Sequence, residues 1–186
     1  MGNLMANVRL AMDRFHTERL KLIDEFDYSK VMRKAAEDLR EKGVRVDREY
    51  LDGGIEALKQ YYAVALLDPD NMHAVSEAVD PFWHSHILHT RDYMAYCQQI
   101  FGQFIHHSPL DRSDTRQVDR VQKLYAYTYS IYQQMFRRID SAWWPEPREA
   151  RMICTHYRVT DPAVLAHALF SRDSVTDLCE LHEIAA

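Results

Sequence analysis

Apolar residues recur every three to four positions along most of the chain, and that recurrence predicts helices. Over residues 4–26, Val8, Ala11, Met12, Phe15, Leu22 and Ile23 fall near the helical spacing. A second helix is predicted over 28–42 and stops at Gly43, a residue suited to the left-handed turn beyond a helix end. Asp47 can cap a third, whose apolar positions are Leu51, Ile55, Leu58, Tyr62, Ala65 and Leu66. The Gly53-Gly54 pair inside it predicts either a kink or a close helix contact. Asp68-Pro69-Asp70-Asn71 ends it.

Asp80-Pro81 reads as a helix start, with the carboxylate as cap and proline at the first helical position. This helix is predicted to run on to Phe101 and to end at Gly102. Another is predicted over 114–142, with Val118, Val121, Tyr125, Thr128, Tyr132, Met135 and Ile139 on one stripe; Trp143-Trp144-Pro145 stops it. Shorter helices are predicted near 148–157, 162–170 and 174–183. No stretch alternates with the period of a strand, and no internal repeat appears. The expected fold is therefore all-α, a single compact bundle of about six to eight helices.

Composition narrows this picture. With 186 residues, 47% of them hydrophobic, the chain is long enough for one ordinary core, and sparse glycine and proline (5 and 6) argue for helices over a turn-rich β fold. The net charge of −5 comes from interleaved acids and bases, so no basic stripe is present to engage nucleic acid. Arg9 and Asp13 interrupt the first apolar segment, which reads against a signal peptide, and no run is long enough to cross a bilayer. Cys97, Cys154 and Cys179 form no CxxC pair, the usage expected of a reduced, cytoplasmic protein.

Candidate chemistry is concentrated in one segment. It reads Asp80-Pro81-Phe82-Trp83-His84-Ser85-His86-Ile87-Leu88-His89-Thr90-Arg91-Asp92-Tyr93, and continues through Cys97 and Phe101-Gly102 to His106-His107-Ser108-Pro109. Five of the chain's ten histidines lie in it. Clustered imidazoles supply the neutral nitrogen donors that iron or zinc requires. The candidate metal ligands are His84, His86, His89, His106, His107 and Cys97, with Tyr93 and Asp80 as candidate catalytic groups. Cys179 with His182 and Glu183, and Cys154 with His156, are weaker pairs.

The string D-x-x-W-H-x-H-I-L-H-T-R-x-Y, followed by Cys, F-G and H-H-x-P, resembles the glycine-rich domain-containing protein-like family, which occurs in bacteria. The resemblance covers residues 28–144 and includes Tyr61 or Tyr62 with Leu66 and Leu67 upstream and Thr128, Tyr132, Phe136 and Trp144 downstream. The chain itself has no glycine-rich region, and 145–186 reads as a helical extension of the same domain, 1–186. The resemblance implies a helical domain and a place for the site, not a chemistry.

Geometry restricts which histidines can cooperate. Each helical residue advances by roughly 100°, so His84 and His86 point to nearly opposite sides unless the helix is irregular. His86 shares a face with His89, Tyr93 and Cys97. In an unbroken helix, the rise from His86 to Phe101 is roughly 22 Å, and at about 3.3 Å per residue the returning chain brings His106 and His107 only part of the way back. They are expected nearer Cys97, or against a histidine from another helix, with His84 and His86 the main contributors and His106 or His107 the third. Two functions follow. One is a metal-dependent enzyme acting on a small-molecule or peptide substrate, with iron implying oxidation and zinc hydrolysis. The other is a non-catalytic module for a protein partner, in which the same segment is structural.

Overall fold

A computed structural model describes residues 4–9 and 13–150, and the backbone of 152–157. The elements are α1 (Leu4–Asn7), α2 (Arg14–Glu25), α3 (Ser29–Glu41), α4 (Arg48–Leu67), β1 (His73–Ser76), α5 (Asp80–Leu88), α6 (Thr90–Phe101), β2 (His106–Pro109), α7 (Thr115–Met135) and β3 (Met152–Tyr157). The fold is a helical bundle, as the apolar spacing predicts.

The bundle is built around α4. Asp47 starts it by accepting a hydrogen bond from the Tyr50 amide, and from Gly54 to Leu66 only Glu56 escapes full burial. A helix buried on nearly every side can only be a central one. Around it pack α2, α3, α5 and α7. On α7, Asp114 accepts from the amides of Arg116 and Gln117, and Val121, Tyr125, Thr128, Tyr132 and Met135 form its buried stripe. An aromatic core of Tyr61, Trp83, Tyr125, Tyr132, Phe136 and Trp144 fills the interior.

Gly54 resolves the choice between kink and contact. A Cβ placed there would lie 2.0 Å from the Phe82 ring, so α4 approaches α5 as only glycine allows. At Gly53 the same atom would lie 2.8 Å from the Trp143 indole nitrogen.

The predicted first helix is two, α1 and α2, with Asp13 capping the second through the His16 amide. The helix predicted over 80–101 is also two. It breaks at His89 (φ −84°, ψ 59°), which closes α5 and opens α6; Gly102 (φ 72°) then ends α6 as expected. The helix predicted over 114–142 stops at Met135, where Phe136 turns extended. Near 148–157 the chain forms β3 instead of a helix. The predicted tail helices over 162–170 and 174–183 lie outside the described residues.

Three short antiparallel strands form a small sheet in the order β1-β3-β2. His73 pairs with His156 across the first pairing, and His107 with His156 across the second. The sheet leads directly into α5, because β1 ends four residues before it. A polar node anchors β1. His73, fully buried, has Nε2 3.2 Å from the Asp68 carbonyl and Nδ1 3.3 Å from the Thr128 hydroxyl. The Tyr127 hydroxyl donates to the Asp68 carboxylate at 2.7 Å.

Candidate metal centre

One turn of α5 sets the site. Asp80 and His84 are four residues apart, so their side chains rise on the same face. Oδ2 of Asp80 lies 3.6 Å from Nε2 of His84. Asp80 was expected as a helix cap, but Val79 occupies that position and makes no side-chain cap bond. The buried Asp80 side chain, 8% exposed, turns to the histidines instead.

The third donor arrives from β2. Nε2 of His107 lies 3.2 Å from Oδ1 of Asp80, and its ring stands edge-on to His84 with centroids 4.3 Å apart. One ligand atom from each of Asp80, His84 and His107 falls within 4.8 Å of the other two. Donors bound to one ion at roughly 2.1 Å are themselves about 3 to 4.2 Å apart, so small side-chain shifts suffice to admit a metal. Among the described residues no other group of three histidine, cysteine or carboxylate donors gathers this closely.

His107 reaches α5 because the helix breaks at His89. With α5 and α6 as separate helices, the rise of an unbroken helix does not separate the pair from α5. A relay of hydrogen bonds fixes the approach. The Trp83 indole donates to the Tyr93 hydroxyl at 3.0 Å, and that hydroxyl donates to the Ile105 carbonyl at 2.8 Å. Trp83 also packs on the His107 ring, with centroids 4.7 Å apart. The relay thus links α5, through α6, to the residue before β2.

Strand geometry separates the two neighbouring histidines, since successive residues point to opposite faces. His107 joins the cluster, whereas His106 lies against Phe104 with centroids 4.8 Å apart. Partial burial lowers the pKa of His106. Desolvation also lowers that of His84, reinforced by His107 and Lys42 and opposed by Asp80. A neutral imidazole keeps the lone pair that ligation needs.

The helix is regular at His84–His86, so His86 points the other way, into the core. Its Nδ1 meets the Tyr62 hydroxyl at 2.8 Å, and Phe26, Tyr93 and Tyr96 surround the ring. Burial, with a smaller contribution from His89, pushes its pKa down to about 3. The Nε2 atoms of His86 and His89 are buried without a hydrogen-bond partner. Tyr93 is fully buried, with its hydroxyl engaged in the relay, and Cys97 is fully buried on α6. Cys179, His182 and Glu183 lie outside the described residues, and Cys154 and His156 are described only as backbone in β3.

A cleft of about 770 Å³ opens beside Asp80 and His84, between the end of α3 and the start of α5. Leu39, Val44, Tyr50, Leu88 and Pro145 contribute to its walls, with Lys42, Asp38, Glu77 and Glu149 as charged groups. Sequence reasoning did not find this cleft, because its walls come from four separate stretches of chain. No helix among the described residues is long and apolar enough to cross a membrane.

The sequence model of the UCP032817-like family matches residues 18–134, a span holding α3 to α6, α7 up to Gln134, most of α2, and all three donors. That match does not carry the glycine-rich family name suggested by the histidine motif. No curated protein and no solved structure matches the chain.

Proposed function

The chain belongs to the UCP032817-like family, and we propose that it is a metal-dependent enzyme holding one divalent ion, iron or zinc, on Asp80, His84 and His107. The observation that carries this reading is the convergence of those three donors from a helix and a strand 27 residues apart in sequence. Two imidazoles and one carboxylate are the set used by open non-haem iron centres, and zinc accepts the same donors. Three protein ligands leave further coordination positions for water and substrate. His84 is half exposed on the side of the cleft, so those positions are reachable by a small molecule. The ion would supply Lewis acidity or, for iron, redox chemistry. Asp80 and His107 would hold it from the buried side. The likeness to the glycine-rich domain-containing protein-like family rests on the motif residues alone and adds no activity.

One observation favours a second reading. His107 and Asp80 already meet at hydrogen-bonding distance, so the trio is also intelligible as a polar tie between β2 and α5 in a non-catalytic module. Elemental analysis of protein purified without a histidine tag separates the two. Metal at one equivalent, lost in Asp80→Ala, His84→Ala and His107→Ala but kept in His106→Ala, supports the enzyme. Metal-free protein that binds neither iron nor zinc on addition leaves only the tie.

A further inference from the structure

The cleft beside the donors has a charge balance that identifies what it receives. Two carboxylates on its rim, Asp38 and Glu77, have a cation within ion-pair distance, and Glu149 shares Arg148 with Glu146. Asp38 pairs with Lys34, Glu77 lies 3.7 Å from Arg112, and Glu149 lies 3.8 Å from Arg148. Lys42, at the C-terminal end of α3, has no carboxylate within ion-pair distance among the described residues, although its charge reaches His84. Among the described residues it is the one lysine or arginine that lines the cleft.

The walls supply the complementary half. Val44 and Leu88 are exposed to 37% and 61%, yet both face the cleft, where Leu39 and Pro145 continue the apolar surface. Large apolar side chains left open beside a cleft of this size mark a ligand surface. A lone surface lysine by itself marks nothing. Here it lines the same cleft as Leu39, Val44, Leu88 and Pro145 and as the donors Asp80 and His84.

We propose that the cleft binds an amphiphilic monocarboxylate, with its carboxylate at Lys42 and its apolar body along Val44, Leu88 and Leu39, beside the Asp80–His84–His107 centre. A single negative charge fits better than a phosphate dianion, because Lys42 is the one lysine or arginine on the cleft lining. The inference rests on the metal reading only for what the bound molecule would be adjacent to, not for how it is held.

The test uses octanoate, 1-octanol and octyl phosphate as probes, with cobalt as the reporter ion. Titration calorimetry measures each probe on the full chain, cobalt-loaded and metal-free, for the native sequence and for Lys42→Gln and Lys42→Glu. Octanoate should bind more tightly than the other two. Lys42→Gln should weaken octanoate by about fivefold, the scale of one partly exposed ion pair, and leave 1-octanol unchanged. Lys42→Glu should weaken it further. Cobalt absorbance should report one ion per chain in all three proteins. Lys42-dependent octanoate binding in a chain that takes up no cobalt would sustain this proposal and defeat the metal reading. One cobalt per chain, with octanoate indifferent to both Lys42 substitutions, would overturn the proposal and leave the metal reading standing. Equal binding of octanoate and 1-octanol, or tighter binding of octyl phosphate, would also overturn it.

Discussion

Oδ1 of Asp80 and Nε2 of His107 stand 3.2 Å apart, so a single side-chain pair ties the first turn of α5 to β2. An ion held there binds the folded chain and not the unfolded one. At a free concentration a hundredfold above Kd it adds about 2.7 kcal/mol. For a chain of this length that corresponds to roughly 5–10 °C in Tm. EDTA should therefore lower the Tm of tag-free protein by about that amount, and zinc or ferrous iron should restore it. In Asp80→Asn neither addition should move the transition. A native Tm indifferent to chelator and to both metals would remove the ion from the site.

His86 predicts the acid sensitivity of the core. Its pKa is about 3 in the folded chain, below the ordinary value of 6.5, because burial disfavours the imidazolium. Between those values the unfolded chain takes up a proton that the folded one refuses. The contribution to stability is thus complete above pH 6.5 and declines as pH falls toward 3. One proton difference gives a slope of at most about 1.4 kcal/mol per pH unit. Urea unfolding of His86→Phe should show a shallower loss of stability between pH 6.5 and 4 than the native chain. Parallel curves would mean that His86 is protonated in the fold after all.

Gly54 is expected to tolerate nothing larger. Alanine gains about 1 kcal/mol of helix propensity over glycine, which by itself would stabilise α4. The new Cβ, however, would overlap the Phe82 ring at 2.0 Å, and both elements are buried. Overpacking of this kind costs about 1–3 kcal/mol or more, so the overlap outweighs the propensity. Gly54→Ala should lower stability by about 2 kcal/mol, and Phe82→Leu in the same chain should recover part of it. A stabilised Gly54→Ala would show that α4 and α5 are not held this close.

The elements legible in the sequence are those whose signals are local. Asp47 and Asp114 start α4 and α7 where a carboxylate cap precedes an apolar period, and Gly43 and Gly102 follow α3 and α6 at positive φ. The break at His89 carries no such signal, because Thr90-Arg91-Asp92-Tyr93 continues helical spacing without glycine or proline. The strands escaped for a different reason. All four residues of β1 are buried, so its polarity does not alternate, and its partner β3 lies about eighty residues away. The histidine segment was found as a segment, but its division was not. Asp80 joined the ligand cluster because α5 starts one residue earlier than its capping pattern suggests, and His107 was separated from His106 by strand geometry in a strand the pattern did not reveal.

Tyr93 distinguishes a positioning role from a catalytic one. Its hydroxyl accepts from the Trp83 indole at 3.0 Å and donates to the Ile105 carbonyl at 2.8 Å, and the residue is fully buried. Removing the hydroxyl takes a partner from two buried groups at once, each worth about 1–3 kcal/mol when left unmet. Tyr93→Phe should therefore cost roughly 2–4 kcal/mol in urea unfolding. It should also loosen the segment that carries His107 and weaken metal binding without abolishing it. Trp83→Phe removes the indole donor and shrinks the ring packed on His107, so it too should weaken metal binding, although the Ile105 bond survives. If Tyr93→Phe unfolds like the native chain and binds metal equally well, yet loses turnover once a substrate is known, Tyr93 touches the reaction itself and the relay is incidental.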